Sequence, residues 1–385
     1  MVTIPKFPEE MTAEWLTEAL RENGHLPTTA SVASLVAAEI GVGRGYVGLT
    51  FRLTPTYSGD AGSAPPSLVV KLPTFVDLQP ELQMLLDLLY STEISWYKDL
   101  RDDTPARVPI AYWSGVDAAA HRYCLVLEDM GSLRMTDQIS SCSIEEARMI
   151  VAKLGVIHAA WWNNPKLMQT PWLMGPEMQG ALLSMFVVQG WAPFWEMMGG
   201  KAAPAEFETI GAAIGGQLPA LLVKGAASGS TLLHGDFRLE NFMFGEVGAD
   251  DELVVLDWQL AGRGSGPRDL AYFVAQNLPI EMRRAHEQEL IGIYHDAITK
   301  GGVSGYSREQ LYEEYRIGLL AAMMVPINGV RQLVDLQTQE NASLDPDQRA
   351  LFERAMASGE LLVQTMTERN VSAILDNKAG ELLGL

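Results

Sequence analysis

The segment His234-Gly-Asp-Phe-Arg-Leu-Glu-Asn241 carries the strongest indication of fold and chemistry in this chain of 385 residues. Asp236 and Asn241 stand five residues apart within it. A carboxylate can orient a hydroxyl and accept its proton, and an oxygen ligand suits Mg²⁺, which is a hard ion. The spacing therefore predicts a site that activates a hydroxyl beside a divalent cation, although a solvated turn can carry the same residues.

A second acid follows downstream, at the end of a short apolar run. Leu253-Val-Val-Leu leads into Asp257, which lies 21 residues after Asp236. An aspartate in this position can chelate a Mg²⁺ ion that bridges phosphates. An acid at a strand end is also a common turn former. With the run Asn241-Phe-Met-Phe244, the segment predicts a short β-hairpin in a chain region that is otherwise helical.

Lys71 stands in the middle of an apolar strand, Leu68-Val-Val-Lys-Leu-Pro73. A lysine in such a place is costly unless it is paired, although on an edge strand it can point to water. A paired lysine could hold phosphates and be oriented by a glutamate of the following helix. Glu93 is the preferred partner and Glu81 is the second candidate, because Glu81 stands near the helix start, where acids are favoured in any case.

Three glycines, Gly43, Gly45 and Gly48, fit the pattern G-x-G-x-x-G immediately before a predicted strand. Glycines let backbone amides approach phosphates closely. The motif does not match a Rossmann fingerprint, because a strand follows it rather than a helix. A Walker loop is excluded because the chain contains no Gly-Lys-Ser or Gly-Lys-Thr.

The order of these signals (glycine loop, strand lysine, helix glutamate, catalytic loop, metal-binding aspartate) is the order found in kinases. The sequence resembles the aminoglycoside phosphotransferase and choline kinase-like superfamily, which has the protein-kinase-like fold. Within it, the chain is most similar to the ecdysteroid kinase-like (CHK kinase-like) branch and its bacterial relatives. The resemblance covers about residues 37–273 and extends to Leu125-Val-Leu-Glu-Asp-Met130, Leu154-Gly-Val-Ile-His-Ala-Ala-Trp-Trp162 and Arg268-Asp-Leu-Ala-Tyr-Phe273.

The resemblance implies an α+β, two-lobed protein-kinase-like fold with a small β-rich N-lobe and a larger helical C-lobe. Residues 1–129 would form the nucleotide-binding lobe, and residues 130–385 the catalytic and substrate-binding lobe. The implied activity is ATP-dependent phosphorylation of a small-molecule hydroxyl, with ATP and Mg²⁺ as cofactors. The chain has no activation loop with an Ala-Pro-Glu segment, which argues against protein substrates.

The same resemblance implies roles for single residues. Asp236 would be the catalytic base, Asn241 and Asp257 would ligate Mg²⁺, and Arg238 would offer positive charge to the transferring phosphoryl group. Asp269 would brace the catalytic loop by accepting backbone hydrogen bonds. The residues implied in nucleotide binding are Gly43, Gly45, Gly48, Lys71 with Glu93, and Glu128 and Met130, whose backbone groups would meet the adenine.

Composition limits the remaining possibilities. The chain has 28 Lys and Arg against 48 Asp and Glu, a net charge of −20, which argues against binding to nucleic acid or to an anionic membrane surface. Two cysteines cannot build a disulfide framework, and the N-terminus lacks the pattern of a secretory signal. We therefore expect a cytoplasmic protein without nucleic-acid or membrane partners. The oligomeric state stays open.

Periodicity and capping residues predict several elements. Capping boxes at Ser143–Glu146 and Ser307–Gln310 predict helices to about Trp162 and Leu320, and Pro326 predicts an end or kink. The other expected elements are a helix over Thr12–Asn23, strands over Val47–Tyr57, Leu68–Leu72 and Tyr123–Leu127, and a helix over Leu82–Leu100.

The stretch from Met168 to Met198 bears on the chemical class of the acceptor. It is rich in methionine and aromatic residues and contains no Lys or Arg. Trp191 and Trp195 are candidates to line an apolar acceptor site, and Tyr315 on a later helix is a candidate for the opposite wall. Ordinary helix packing would explain the same composition. An apolar alcohol, a sterol-like compound or a hydroxyacyl thioester fits such a site, whereas an aminoglycoside is the alternative acceptor.

A catalytically inactive kinase-like binding module is a further alternative. Lys71, Asp236, Asn241 and Asp257 are all present, which argues against it, because loss of function usually removes at least one of them.

Overall fold

The computed structural model describes residues 2–40, 48–73, 80–338 and 346–385, and Gly43 and Gly45 therefore lie outside it. The chain forms two compact units. Unit 1 comprises Met1–Asp103, Arg107–Arg134 and Met243–Leu260, and unit 2 comprises Thr104–Ala106, Met135–Phe242 and Ala261–Leu385. The assignment of nucleotide binding to residues 1–129 and catalysis to residues 130–385 stays a prediction.

Unit 1 is built on an antiparallel sheet of five strands in the order β1-β2-β3-β5-β4. The strands are β1 (Ser31–Ile40), β2 (Gly48–Ser58), β3 (Leu68–Pro73), β4 (Ala111–Asp117) and β5 (Arg122–Glu128). Helix α1 (Ala13–Glu22) packs on this sheet, and helix α2 (Pro80–Asp99) follows β3. Alternation along β3 buries Leu68, Val70 and Leu72 in the core between sheet and α1 and turns Lys71 to the other face.

Unit 2 is mostly helical, because its segments carry apolar residues at helical spacing. Its helices are α3 (Ile144–Trp161), α4 (Pro165–Gln169), α5 (Pro176–Met198), α6 (Phe207–Gly225), α7 (Pro267–Asn277), α8 (Ile280–Lys300), α9 (Arg308–Ala322), α10 (Met324–Thr338) and α11 (Pro346–Asp376). Helices α3 and α9 begin with the two predicted capping boxes, in which the serine hydroxyl and the third residue's side chain satisfy each other's backbone amides.

Short strands position the segments that contain the candidate catalytic residues. Strand β6 (Thr231–Leu233) pairs antiparallel with β9 (Gly262–Gly264), and β6 leads directly into the segment around Asp236. The predicted hairpin is formed by β7 (Phe242–Phe244) and β8 (Leu253–Val255), which pair in a second two-stranded sheet. Asp257 follows β8 at once. Each acid is thus placed at a strand end.

The α+β fold with a β-rich first unit and a helical second unit is the predicted one. Four strands were not predicted, namely β1, β4, β6 and β9. The break predicted at Pro326 occurs three residues earlier, at Met323, and leaves Pro326 in the first turn of α10, where a proline is tolerated. Among the described residues, one stretch, Arg308–Asp335, is long and apolar enough to cross a membrane, but 61% of its most apolar window is buried, as in a core helix.

Candidate active site

Asp236 lies in unit 2, in the loop that follows β6, and it is 9% exposed. Its Oδ1 accepts a hydrogen bond of 3.0 Å from the Tyr272 hydroxyl. Its Oδ2 accepts bonds from Arg238 Nε at 3.1 Å and from Asn241 Nδ2 at 3.0 Å. The arrangement holds one carboxylate in a fixed orientation.

Tyr272 contributes a donor that the sequence did not reveal. It stands in the segment Arg268–Phe273, yet its role depends on the direction of its hydroxyl. Burial, together with the charge of Asp236, raises the pKa of Tyr272 well above its ordinary value. The phenol therefore stays protonated and donates to Asp236 throughout the neutral range.

Asn241 is oriented by the same carboxylate. Its Nδ2 donates both to the backbone oxygen of Asp236, at 2.8 Å, and to Asp236 Oδ2. Since the amide nitrogen is engaged on Asp236, the amide oxygen points away from it and is the atom that can serve a cation. Asn241 is 6% exposed, so the amide is held rather than free in solvent.

The backbone of the loop is braced by Asp269 at the start of α7. Asp269 Oδ2 accepts a 2.7 Å hydrogen bond from His234 N, and Oδ1 accepts one of 3.1 Å from Gly235 N. Gly235 has a φ of +83°, which glycine adopts at little cost. Burial alone would raise the pKa of Asp269, but hydrogen bonds and charge from His158 and His234 lower it. This brace is confirmed as predicted.

In unit 1, Lys71 lies between two carboxylates. Its Nζ is 2.7 Å from Glu93 Oε1 on α2 and 3.6 Å from Asp257 Oδ1. Burial alone would lower the pKa of Lys71, but Asp257 and Glu93 raise it, so the ammonium stays charged. The structure thus brings Lys71, Glu93 and Asp257 together, with Glu93 only 2% exposed. The side chain of Glu81 lies outside the described residues.

Asp257 forms an ion pair with Lys71, but one of its oxygens is left without a hydrogen bond. Within the described residues its buried Oδ1 accepts none, because Lys71 Nζ, at 3.6 Å, is beyond hydrogen-bond distance. Its backbone has a φ of +63°, which aspartate tolerates better than most residues. The next residue, Trp258, stacks on Trp96 of α2 with ring centroids 4.0 Å apart, which fixes this segment against the helix that carries Glu93.

Two side chains offer oxygen donors of the kind that a hard cation prefers. They are the Asp257 carboxylate in unit 1 and the Asn241 amide in unit 2. Among the described residues there is no cluster of three or more His, Cys, Asp or Glu that could hold a metal ion alone.

A cavity of about 180 Å³ lies beside Lys71 and Asp257 in unit 1. Within the part of the chain described here, the Met130 N–H makes no hydrogen bond, whereas the Glu128 N–H donates to Ile110 O at 2.8 Å. Of the two predicted adenine contacts, Met130 therefore has the free donor. The aliphatic and methionine side chains that line the cavity are Ile40, Val69, Leu127, Met130, Met243 and Leu256.

Gly48 lies at the start of β2, and its requirement for glycine comes from packing. A Cβ there would stand 1.5 Å from the Tyr90 hydroxyl oxygen, which donates to Leu72 O at 2.9 Å. Gly48 thus admits Tyr90 between α2 and the sheet.

The predicted acceptor residues differ in exposure. Trp191 and Trp195 on α5 are half-buried and stack with ring centroids 5.6 Å apart. Tyr315 is fully buried in unit 2, and its hydroxyl donates to Glu287 Oε1 at 2.8 Å. The prediction for Tyr315 needs this correction: its helical spacing reflects the core face of α9, so it offers no surface to a ligand.

The chain was compared with known protein families, with curated sequences and with solved structures. A model of the ecdysteroid kinase-like family matches residues 42–301. No curated protein matches the chain in sequence. A proposed aminoglycoside phosphotransferase from Ralstonia eutropha JMP134 is similar in structure, with a TM-score of 0.51, 17% identity, and coverage of 91% of this chain and 97% of that chain.

A choline kinase from Cryptosporidium parvum Iowa II gives a TM-score of 0.49 at 10% identity, with 90% of this chain and 91% of that chain covered. At 17% identity, the likeness to the Ralstonia protein shows a shared fold and no more.

Proposed function

Because the chain belongs to the ecdysteroid kinase-like family, we propose that it is a kinase that transfers the γ-phosphoryl group of ATP to a hydroxyl of a small molecule. The observation that carries this proposal is the Asp236 carboxylate, which three side-chain donors hold with one oxygen facing Tyr272 and the other facing Arg238 and Asn241. A fixed carboxylate of this kind supports the role of the base that orients the acceptor hydroxyl.

In this proposal each unit has one task. In unit 1, Lys71 holds phosphate oxygens, Glu93 keeps the ammonium in place, and the Met130 N–H meets the adenine. In unit 2, Asp236 orients the acceptor hydroxyl and takes up its proton as the new O–P bond forms and the bond from the γ-phosphorus to the ADP oxygen breaks, which releases ADP. Arg238 offsets negative charge beside Asp236.

Mg²⁺, when bound through Asn241 and Asp257, would neutralise phosphate charge. The orphaned Asp257 oxygen and the outward amide oxygen of Asn241 support these two as its protein ligands. The resemblance supports ATP as the proposed donor, and a cytoplasmic location stays a prediction.

For the acceptor we propose an apolar alcohol, a sterol-like compound or a hydroxyacyl thioester. The support is the composition of Met168–Met198 and its exposure, since Met168, Met178 and Val188 are 67%, 64% and 62% exposed. A polycationic aminoglycoside finds one pair of acids, Glu177 and Glu196, in this stretch. Trp191→Ala and Trp195→Ala should raise the acceptor KM, and an unchanged KM would remove α5 from the acceptor site.

The activity is tested with purified protein, Mg²⁺ and ATP against a panel of alcohols, sterols, hydroxyacyl thioesters, choline and kanamycin. Mass spectrometry reports which acceptor gains a phosphate, and Asp236→Ala is the control for chemistry. Phosphate transfer that is lost in this variant supports the proposal. No transfer, with no nucleotide-dependent change in Tm, would favour the inactive binding module.

A further inference from the structure

A buried arginine in the C-terminal helix contacts the two segments that support the catalytic loop. Arg369 on α11 is 8% exposed, and among the described residues no carboxylate forms an ion pair with it. Its guanidinium donates to four backbone carbonyls instead. Nη1 reaches Gln138 O at 2.5 Å and both Gln276 O and Asn277 O at 3.2 Å, and Nη2 reaches Ile139 O at 3.3 Å.

Both segments are hydrogen-bonded to the catalytic loop. Asn277 Oδ1 accepts a 2.9 Å hydrogen bond from Leu239 N. Gln138 N donates to Glu240 Oε1 at 3.0 Å, and Gln138 Oε1 lies 3.5 Å from Arg238 Nη1. Gln138 and Asn277 are fully buried, so water cannot replace these contacts. Arg369 is thus connected to three successive loop residues, Arg238 to Glu240, and in each case one residue, Gln138 or Asn277, lies between them.

The Arg369 guanidinium, which comes from α11, lies beside the C-terminal end of α7. This position explains why a cation without an ion-pair partner is tolerated there. The last carbonyls of a helix lack partners within the helix and carry partial negative charge, so a cation is favoured beside them. Helix α7 presents Asp269, Tyr272 and Asn277 to the catalytic loop. A displacement of the end of α7 would therefore move several contacts of Asp236 and its loop together.

We propose that Arg369 is a positioning residue for the catalytic loop, and that α11 is therefore part of the machinery although it lies beyond the residues 42–301 that the family model matches. The inference rests on the proposed function for its kinetic consequence. The structural claim, that Arg369 restrains residues 238–240, is tested independently of the proposed function. Lysine cannot replace the guanidinium, since one ammonium cannot reach four carbonyls from a planar fork.

The test compares Arg369→Lys with Arg283→Lys. Arg283 is a matched control, because it is also buried, at 1% exposure. It pairs with Glu287 on its own helix and joins α8 to α11 through Asp376, and no hydrogen bond connects it to the catalytic loop among the described residues. Both variants should lower Tm. Arg369→Lys should also lower kcat by roughly 10- to 100-fold with the nucleotide KM unchanged, since small misplacements of a catalytic group are costly. Arg283→Lys should leave kcat unchanged.

Amide hydrogen exchange of the peptide Leu233–Asn241 supplies a readout that needs no activity. It should be faster in Arg369→Lys and unchanged in Arg283→Lys. Equal exchange in the two variants, or equal kcat at equal loss of Tm, would overturn the positioning role. If Arg369→Lys does not fold, Asn277→Leu, which removes the acceptor for Leu239 N, should give the same signature. Absence of phosphotransfer in the unaltered protein would refute the proposed function while the exchange comparison still decides this inference.

Discussion

The candidate functional residues of unit 1 and those of unit 2 are held in place by different interactions. In unit 1, Lys71, Glu93 and Asp257 are held by charge, and one buried oxygen of Asp257 has no hydrogen-bond donor among the described residues. In unit 2, Asp236 receives donors from Tyr272, Arg238 and Asn241, and its loop is bound through backbone amides to Asp269. Asp257 thus has a carboxylate oxygen without a donor, whereas both carboxylate oxygens of Asp236 have one.

This difference separates the roles of the two units. In unit 1, Glu93 and Asp257 share Lys71 as their cation, so a cation that comes with phosphates would add positive charge to this cluster. In unit 2, the protein's own donors hold the Asp236 carboxylate, and such preorganisation limits reorganisation in the transition state. Changes in unit 1 should therefore alter nucleotide binding and stability, whereas changes in unit 2 should alter turnover.

The largest effect is expected from Asp236→Asn. The amide keeps the shape of the carboxylate but cannot accept the acceptor's proton, so kcat should fall by about 10²–10⁴-fold. Nucleotide affinity should stay as in the unaltered protein, because the proposed contacts with the nucleotide base and with Lys71 lie in unit 1. Steady-state kinetics together with titration of an ATP analogue measure both quantities. A variant that keeps its turnover would remove Asp236 from the role of base.

Lys71→Met should destabilise the protein by about 3 kcal/mol, because it leaves the buried Glu93 carboxylate without its cation. The double variant Lys71→Met/Glu93→Leu should regain much of this loss in urea unfolding while staying inactive. If the losses of the two single variants simply add in the double variant, the pair is not coupled and the charge-based account of unit 1 is wrong.

Asp269→Asn tests the brace of the catalytic loop and should cost about 1–3 kcal/mol, since a buried backbone N–H then faces an amide. The pKa of Asp269 is lowered in the folded protein, so its stabilising contribution is present above the ordinary Asp pKa of about 3.9 and is lost as pH falls through the lower folded value. The difference in the free energy of unfolding between the unaltered protein and Asp269→Asn should therefore become smaller below about pH 4. A gap that is constant from pH 7 to pH 3 would contradict this assignment.

Tyr272→Phe should have the smallest effect of the set. It removes one donor to Asp236 and leaves Arg238 and Asn241 in place, so we expect a loss of about tenfold in kcat, which corresponds to one hydrogen bond. Nucleotide affinity should not change. A larger loss than for Asp236→Asn would mean that the hydroxyl does chemistry of its own.

Much of the fold could be predicted because local patterns agreed with it. The capping boxes at Ser143 and Ser307 mark the starts of α3 and α9 because each satisfies backbone amides locally. Strand β1 could not be predicted, since most of its residues are exposed or half-exposed and its sequence, SVASLVAAEI, lacks regular alternation. The failure at Tyr315 has the opposite cause, because helical periodicity reports a buried face without saying what covers it.

The site was predictable where residue spacing fixes the chemistry, as for the choice of Glu93 over Glu81 as the residue near Lys71. It was not predictable where contacts join distant parts of the chain. Tyr272 reaches Asp236 across 36 residues, and Arg369 reaches Gln138 across 231. A buried arginine that binds only carbonyls has no sequence signature, since on a helix it is indistinguishable from a surface residue.

The division of tasks is tested most directly by isothermal titration of a non-hydrolysable ATP analogue with Mg²⁺ into three proteins: the unaltered chain, Asp236→Asn and Asp257→Asn. The account predicts that Asp236→Asn binds with the affinity of the unaltered chain and that Asp257→Asn binds at least about tenfold more weakly, a loss of about 1.4 kcal/mol. The reverse result, with affinity lost in Asp236→Asn and kept in Asp257→Asn, would contradict it.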